Sequence, residues 1–123
     1  MNLDWQWPKM NIPKTLYDIL YDHQKVGVQW MAALHARGTG GILGDDMGLG
    51  KTYQTLTLLG GLFRAKSIAR ALIIVPVAVL RNWEREARMI VEKSCGVDVE
   101  IIQLSSSVAK AKRAIILEDA LMW

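Results

Sequence analysis

Residues 40–52 read G-G-I-L-G-D-D-M-G-L-G-K-T, and the reading of this stretch decides the fold. Ile42 and Leu43 read as a short apolar strand, the glycines and aspartates after them as a turn, and Lys51 as the start of a helix. A strand that feeds a turn whose backbone N–H groups point inward, followed by the positive end of a helix, is a cradle for phosphate. Gly48 and Gly50 admit conformations closed to other residues and let the backbone approach an oxygen closely. Lys51 adds a mobile ammonium group, and the Thr52 hydroxyl is placed to ligate Mg²⁺.

The full phosphate-loop pattern asks for a glycine five residues before Gly50 and meets Asp45, so the match is to the shorter core G-x-G-K-T. At ordinary glycine usage that pentapeptide arises by chance in roughly one chain of this size in a few hundred. The flanking strand and helix make chance rarer still, against the bland reading of a flexible glycine loop. A dinucleotide fingerprint is set aside, because Tyr53 stands where its third glycine belongs.

Working outward, 123 residues allow one domain at most and are enough to bury a sizeable core. With 51% of residues hydrophobic and 22% charged, the chain is neither disordered nor an acidic tail. The apolar runs fall far short of a membrane span, and M-N-L-D-W-Q-W-P-K-M lacks the apolar core of a signal peptide; both predict an intracellular protein without membrane contact. The lone Cys95 excludes an internal disulfide and a cysteine-based zinc site, and His23 and His35 have no metal-ligand spacing. A net charge of +3 permits nucleic acid without demanding it.

Upstream of the glycine stretch, Trp5 and Trp7 leave two readings open, a docking strip or a loose end, and residues 1–14 are assigned to an N-terminal extension. Leu16, Ile19 and Leu20 suggest a helical turn or two. A longer helix follows, with Asp22 as N-cap, Gln24, Val28, Met31 and Leu34 or His35 at helical spacing, and Gly38 as the stop. Downstream, Leu56, Leu59 and Phe63 with Leu58 and Leu62 mark a helix buried on a wide face, in which Gly60 and Gly61 signal either a fraying end or a close helix crossing. Residues 64–70 are a basic connector, and A-L-I-I-V at 71–75, closed by Pro76, reads as a strand buried on both faces. A helix over 79–93 turns Leu80, Trp83, Ala87, Ile90 and Val91 inward and pairs Glu84 with Arg88. A third strand spans 97–104, and Ser105 to Ser107 offer caps for a last helix carrying Lys110, Lys112 and Arg113. Strands and helices in alternation predict an α/β layer with a parallel sheet and its phosphate loop at the carboxyl end of the first strand.

Y-D-H-Q-K-V-G-V-Q-W-M, then G-G-I-L-G-D-D-M-G-L-G-K-T, then A-L-I-I-V-P-V-A-V-L-R-N-W-E-R-E, taken together, resemble the opening of the ATPase lobe in the switch/sucrose-nonfermenting family of superfamily-two, helicase-like DNA translocases. Within that family the chain is most similar to the Cockayne syndrome group B and PICH-like branch. The resemblance covers residues 12–104 or so and accounts for Asp45. It implies a RecA-like P-loop NTPase lobe, incomplete, occupying residues 15–123, that takes ATP and Mg²⁺. It assigns Gln24 to adenine; Asp45, Asp46, Met47, Gly48, Leu49, Gly50, Lys51 and Thr52 to the triphosphate, with Lys51 and Thr52 as the catalytic pair and Thr52 on the metal; and Arg81, Asn82 and Arg85, within 76–86, to one strand of double-stranded DNA. The chain departs from the family at His23, where tyrosine is usual, and at Ala78, where a helix-capping Ser or Thr is usual. Trp83 falls on the apolar stripe and reads as core.

No D-E-x-H box occurs in the 123 residues, and Glu118-Asp119 does not follow a buried strand. The resemblance therefore implies the ATP-binding portion of a remodelling or repair ATPase of the nucleus, with chromatin proteins as partners and a second ATPase lobe required. Such a piece is expected to bind nucleotide without turning it over and, with a sheet edge unpaired, to be poorly soluble. Another P-loop enzyme, such as an RNA helicase or a small-molecule kinase, and a non-catalytic remnant are the competing readings.

Overall fold

The computed structural model describes residues 5–7, 10–44, 50–106 and 108–122. Strands β1 (Trp5–Trp7) and β2 (Met10–Ile12) pair antiparallel, with Trp5 opposite Ile12 and Trp7 opposite Met10. Helices α1 (Lys14–Asp18), α2 (Asp22–Ala36) and α3 (Lys51–Arg64) follow. A 3-10 turn at Val77–Val79 runs into α4 (Leu80–Ala87) and on into π-helical turns at Arg88–Ser94, and α5 (Lys110–Met122) comes last.

Helix α3 is the centre, with β2, α2 and the π-helical turns packed around it. Met10, Ile12, Leu16, Leu20, Val28, Ala32, Leu56, Leu62, Ile90 and Cys95 make one buried cluster. The glycine pair explains how two of these neighbours, the π-helical turns and β2, reach the helix. A methyl group on Gly60 would lie 2.5 Å from Cys95 Sγ, and one on Gly61 would lie 2.7 Å from Met10 Cγ and 2.8 Å from Ile12 Cγ1. Two close crossings, not a fraying end, account for Gly60 and Gly61, and they offset a helix-propensity cost of about 1 kcal/mol each. Met10 and Ile12, which precede the boundary drawn at residue 14, are thereby part of the core.

The helices follow the sequence closely. α2 ends in a Schellman motif, with Gly38 at φ 70, its N–H on the His35 carbonyl and the Thr39 N–H on the Leu34 carbonyl, both at 3.0 Å. α3 ends the same way with Lys66 in the glycine's place at φ 58. Asp22 is the first residue of α2 and Tyr21 is the N-cap, one position earlier than expected. α2 buries Gln24, Gly27, Val28 and Ala32, while Met31 is half-buried and His35 exposed, so the inward stripe runs through small residues that let α3 approach. On α4 and the π-helical turns, Ile90 and Val91 are buried and Trp83 and Ala87 pack against the core, as the periodicity predicts. Arg88 bridges Glu84 at 2.9 Å and Glu92 at 3.2 Å. Such exposed pairs contribute a few tenths of a kcal/mol.

The expected strands at 42–43, 71–75 and 97–104 make no ladder among the described residues, and the chain there is irregular. Ile42, Leu72 and Ile74 are 89%, 77% and 87% exposed. A strand apolar on both faces is stable only with a neighbour at each edge and a layer over each face. Here the buried faces of α2, α3 and the π-helical turns are directed at one another and at β2. Among the described residues no helix is long and apolar enough to cross a membrane.

Candidate nucleotide site

Gly50 is the N-cap of α3 and sits in the left-handed region, φ 77 and ψ 41. Only glycine takes that conformation without strain. The first intrahelical bond runs from the Gln54 N–H to the Gly50 carbonyl at 3.0 Å, so the amides of Lys51, Thr52 and Tyr53 precede it at the positive end of the helix. Lys51 and Thr52 are half-buried on the first turn. A left-handed glycine, a row of helix-start amides, an ammonium and a hydroxyl suit a triphosphate with its magnesium ion. The expected site residues Asp45, Asp46, Met47, Gly48 and Leu49 lie outside the described residues.

Gln24, in the first turn of α2, is buried, and its Oε1 accepts the Tyr21 N–H at 2.9 Å. That bond orients the amide so that Nε2 occupies the space a side chain on Gly50 would need. The fold thus brings Gln24 against the residue directly before Lys51. One turn into α3, Gln54 is fully buried, with its amide oxygen in the space beside Gly27. Gln54 and Gly27 escaped the sequence reading because each alone is bland; the signal is the pair, a helical glycine facing a buried amide. Burial holds the Tyr53 phenol above its ordinary 10.0, with Cys95 and Glu86 adding to the effect.

His23 is exposed and stacked on the Tyr21 ring, with centroids 5.8 Å apart and planes at 15°. Arg81, Asn82 and Arg85 form their own group at the start of α4, where Arg81 is exposed and the Arg85 guanidinium donates to Asn82 Oδ1. Ala78 lies in the 3-10 turn, and among the described residues no side chain caps that turn or α4. Gln103 Nε2 donates to Glu84 Oε2, which ties the segment before α5 to α4. Glu118 and Asp119 are exposed on α5. Among the described residues no cluster of three His, Cys, Asp or Glu side chains stands ready for a metal.

Comparison with known proteins identifies the family. The SNF2-related domain matches residues 23–118. The DNA excision repair protein CSB of Oryza sativa subsp. japonica is 43% identical over 116 residues, 93% of this chain and 10% of that protein. Protein CHROMATIN REMODELING 8 of Arabidopsis thaliana is 51% identical over 79 residues, 64% of this chain and 7% of that protein. Helicase SWR1 of Cryptococcus neoformans is 41% identical over 95 residues, 69% of this chain and 8% of that protein. The chain spans a tenth or less of the length of each of these relatives. It belongs to the SNF2-related domain family of helicase-like P-loop ATPases, with CSB-type repair proteins and chromatin remodellers among its relatives.

Proposed function

We propose that this chain is the ATP-binding portion of the first motor lobe of a DNA-dependent ATPase that travels along double-stranded DNA in chromatin. One observation carries the reading: the Gln24 amide, held by the Tyr21 N–H, rests against Gly50 directly before Lys51 and Thr52. A side-chain amide both donates and accepts, which suits the adenine edge. Beside it, Lys51 would hold the phosphates and the Thr52 hydroxyl would hold magnesium, which would supply charge neutralisation for them.

The relatives' names, DNA excision repair and chromatin remodelling, support DNA and chromatin proteins as partners and the nucleus as the setting. Arg81, Asn82 and Arg85 are the groups assigned to the phosphates of one DNA strand, which position a protein without reading sequence. The 123 residues hold no D-E-x-H box. Phosphoryl transfer needs positioning and charge stabilisation from several parts at once. The chain therefore binds nucleotide without turning it over, and a second lobe completes the site in the whole protein.

Calorimetric titration of the chain with MgATP and MgGTP tests this. The unaltered chain binds ATP more tightly than GTP, Gln24→Ala brings the two affinities together, and Lys51→Ala loses both. Equal affinities in the unaltered chain, or ATP binding that survives Lys51→Ala undiminished, refute the assignment.

A further inference from the structure

Helix α5 carries its charges in the order that works against it. Lys110, Lys112 and Arg113 crowd the first turn, where the helix end is already positive, and Glu118 and Asp119 lie toward the negative end. A helix standing alone is stabilised by the opposite order. Nothing nearby relieves the conflict: among the described residues Lys110, Lys112, Glu118 and Asp119 meet no opposite charge, whereas Lys14 and Arg88 do. The elements that pack together are β2, α2, α3, α4 and the π-helical turns, and α5 stands outside that packing. Only its stripe Arg113, Ile116 and Ala120 is half-buried. On the other side of the helix Ala111, Ile115 and Glu118 recur at helical spacing, all exposed, with Ile115 58% open to water. Lys112 and Asp119, seven positions apart and both exposed, run along one flank of that face.

We propose that the Ile115 face of α5 docks on the same face of a second copy of this chain, antiparallel, across a two-fold axis at Ile115. Turning one helix over about that axis sets Ile115 on Ile115 and brings Lys112, on one side of it, beside Asp119 of the second copy, with an offset of about 1.5 Å along the helix. Symmetry makes the pair twice. Ala111 lies opposite Glu118 of the second copy, and its single methyl lets the two helices close. In this arrangement each positive helix end lies beside the other's negative end, so the charge order that opposes α5 alone favours the pair. A parallel arrangement would set Lys112 on Lys112 and Asp119 on Asp119, and a partner without this charge order gains nothing from it. One helix face is at the small end of specific interfaces, so the association is weak and reversible.

The test is sedimentation equilibrium of the 123-residue chain at rising concentration, with thermal melting of each variant as the check on folding. The unaltered chain passes from monomer to dimer, and Ile115→Lys stays monomeric. Lys112→Asp weakens the dimer by about tenfold, and adding Asp119→Lys to it restores the original affinity, which a change in general surface charge would not do. Under oxidation Ile115→Cys links to its twin, whereas Ala111→Cys, whose two copies lie about 12 Å apart along the pair, stays unlinked. Where Ile115→Lys lowers the melting temperature, the charge swap decides. A chain that is monomeric at every concentration overturns the inference. So does association that survives Ile115→Lys, which assigns it to the exposed Leu72 and Ile74, a charge swap that fails to restore the dimer, or equal linking of the two cysteine variants.

Discussion

Replacing Gly50 with alanine exposes how base recognition and the phosphate turn are joined. An L-residue in the left-handed region costs about 1–2 kcal/mol, and Gly50 sits there at φ 77. The new methyl also overlaps Gln24 Nε2. That amide is the far end of a flexible side chain and moves, but moving breaks its bond to the Tyr21 N–H, worth about 0.5–1.5 kcal/mol. The sum is a loss of about 1.5–3.5 kcal/mol in the native background, or roughly 1–2.3 M in urea midpoint at a slope of about 1.5 kcal/mol per M. In a Gln24→Ala background the overlap and the bond are both already gone, and only the backbone strain of about 1–2 kcal/mol remains. Urea unfolding of the four chains by circular dichroism therefore yields a coupling of about 1 kcal/mol between positions 24 and 50. If Gly50→Ala costs the same in both backgrounds to within about 0.3 kcal/mol, the contact between Gln24 and the phosphate turn is not what the geometry implies.

Three further outcomes follow from the packing. Gly61→Ala gains about 1 kcal/mol of helix propensity but forces a methyl into Met10 and Ile12, a clash of about 1–3 kcal/mol, so the net change in urea unfolding is destabilising. Lys66→Gly relieves the left-handed backbone at the end of α3 and raises stability by about 0.5–1 kcal/mol, seen as a higher melting temperature. The Cys95 thiol is pushed up to about 11 by burial, against the pull of the Arg64 guanidinium, from an ordinary 9.0. The unfolded thiol ionises first, so this contribution to stability is whole below pH 9.0 and is lost as pH rises to about 11. Cys95→Ala should show a shallower decline over that window in unfolding experiments at stepped pH.

The helices were legible because their signal is local. Leu56 and Leu62, Ile90 and Val91, and the glycine stops at Gly38 and Gly96 lie within one or two turns of the backbone they specify. The inward face of α2 was harder to read: Met31 is the larger apolar residue, yet Ala32 is the buried one, because the approach of α3 rewards small size over hydrophobicity. The strands were half legible. A-L-I-I-V at 71–75 declares burial on two faces, but the partner strands and covering layers that burial requires are not written in those five residues. At the candidate site, Gly50, Lys51 and Thr52 were proposed from the motif and Gln24 from the resemblance. Gln54 was not, since its packing against Gly27 exists only once the chain is folded.

The bare apolar segment after α3 has a consequence for handling by the cell. Between Arg70 and Arg81 lie ten residues without a charge, and Leu72 and Ile74 face water. Such a run stacks edge to edge with its twin on a neighbouring molecule unless something interrupts it. The two arginines at its borders and the imino ring of Pro76 at its middle act as gatekeepers, leaving time for a covering layer or a chaperone to arrive before a second molecule does.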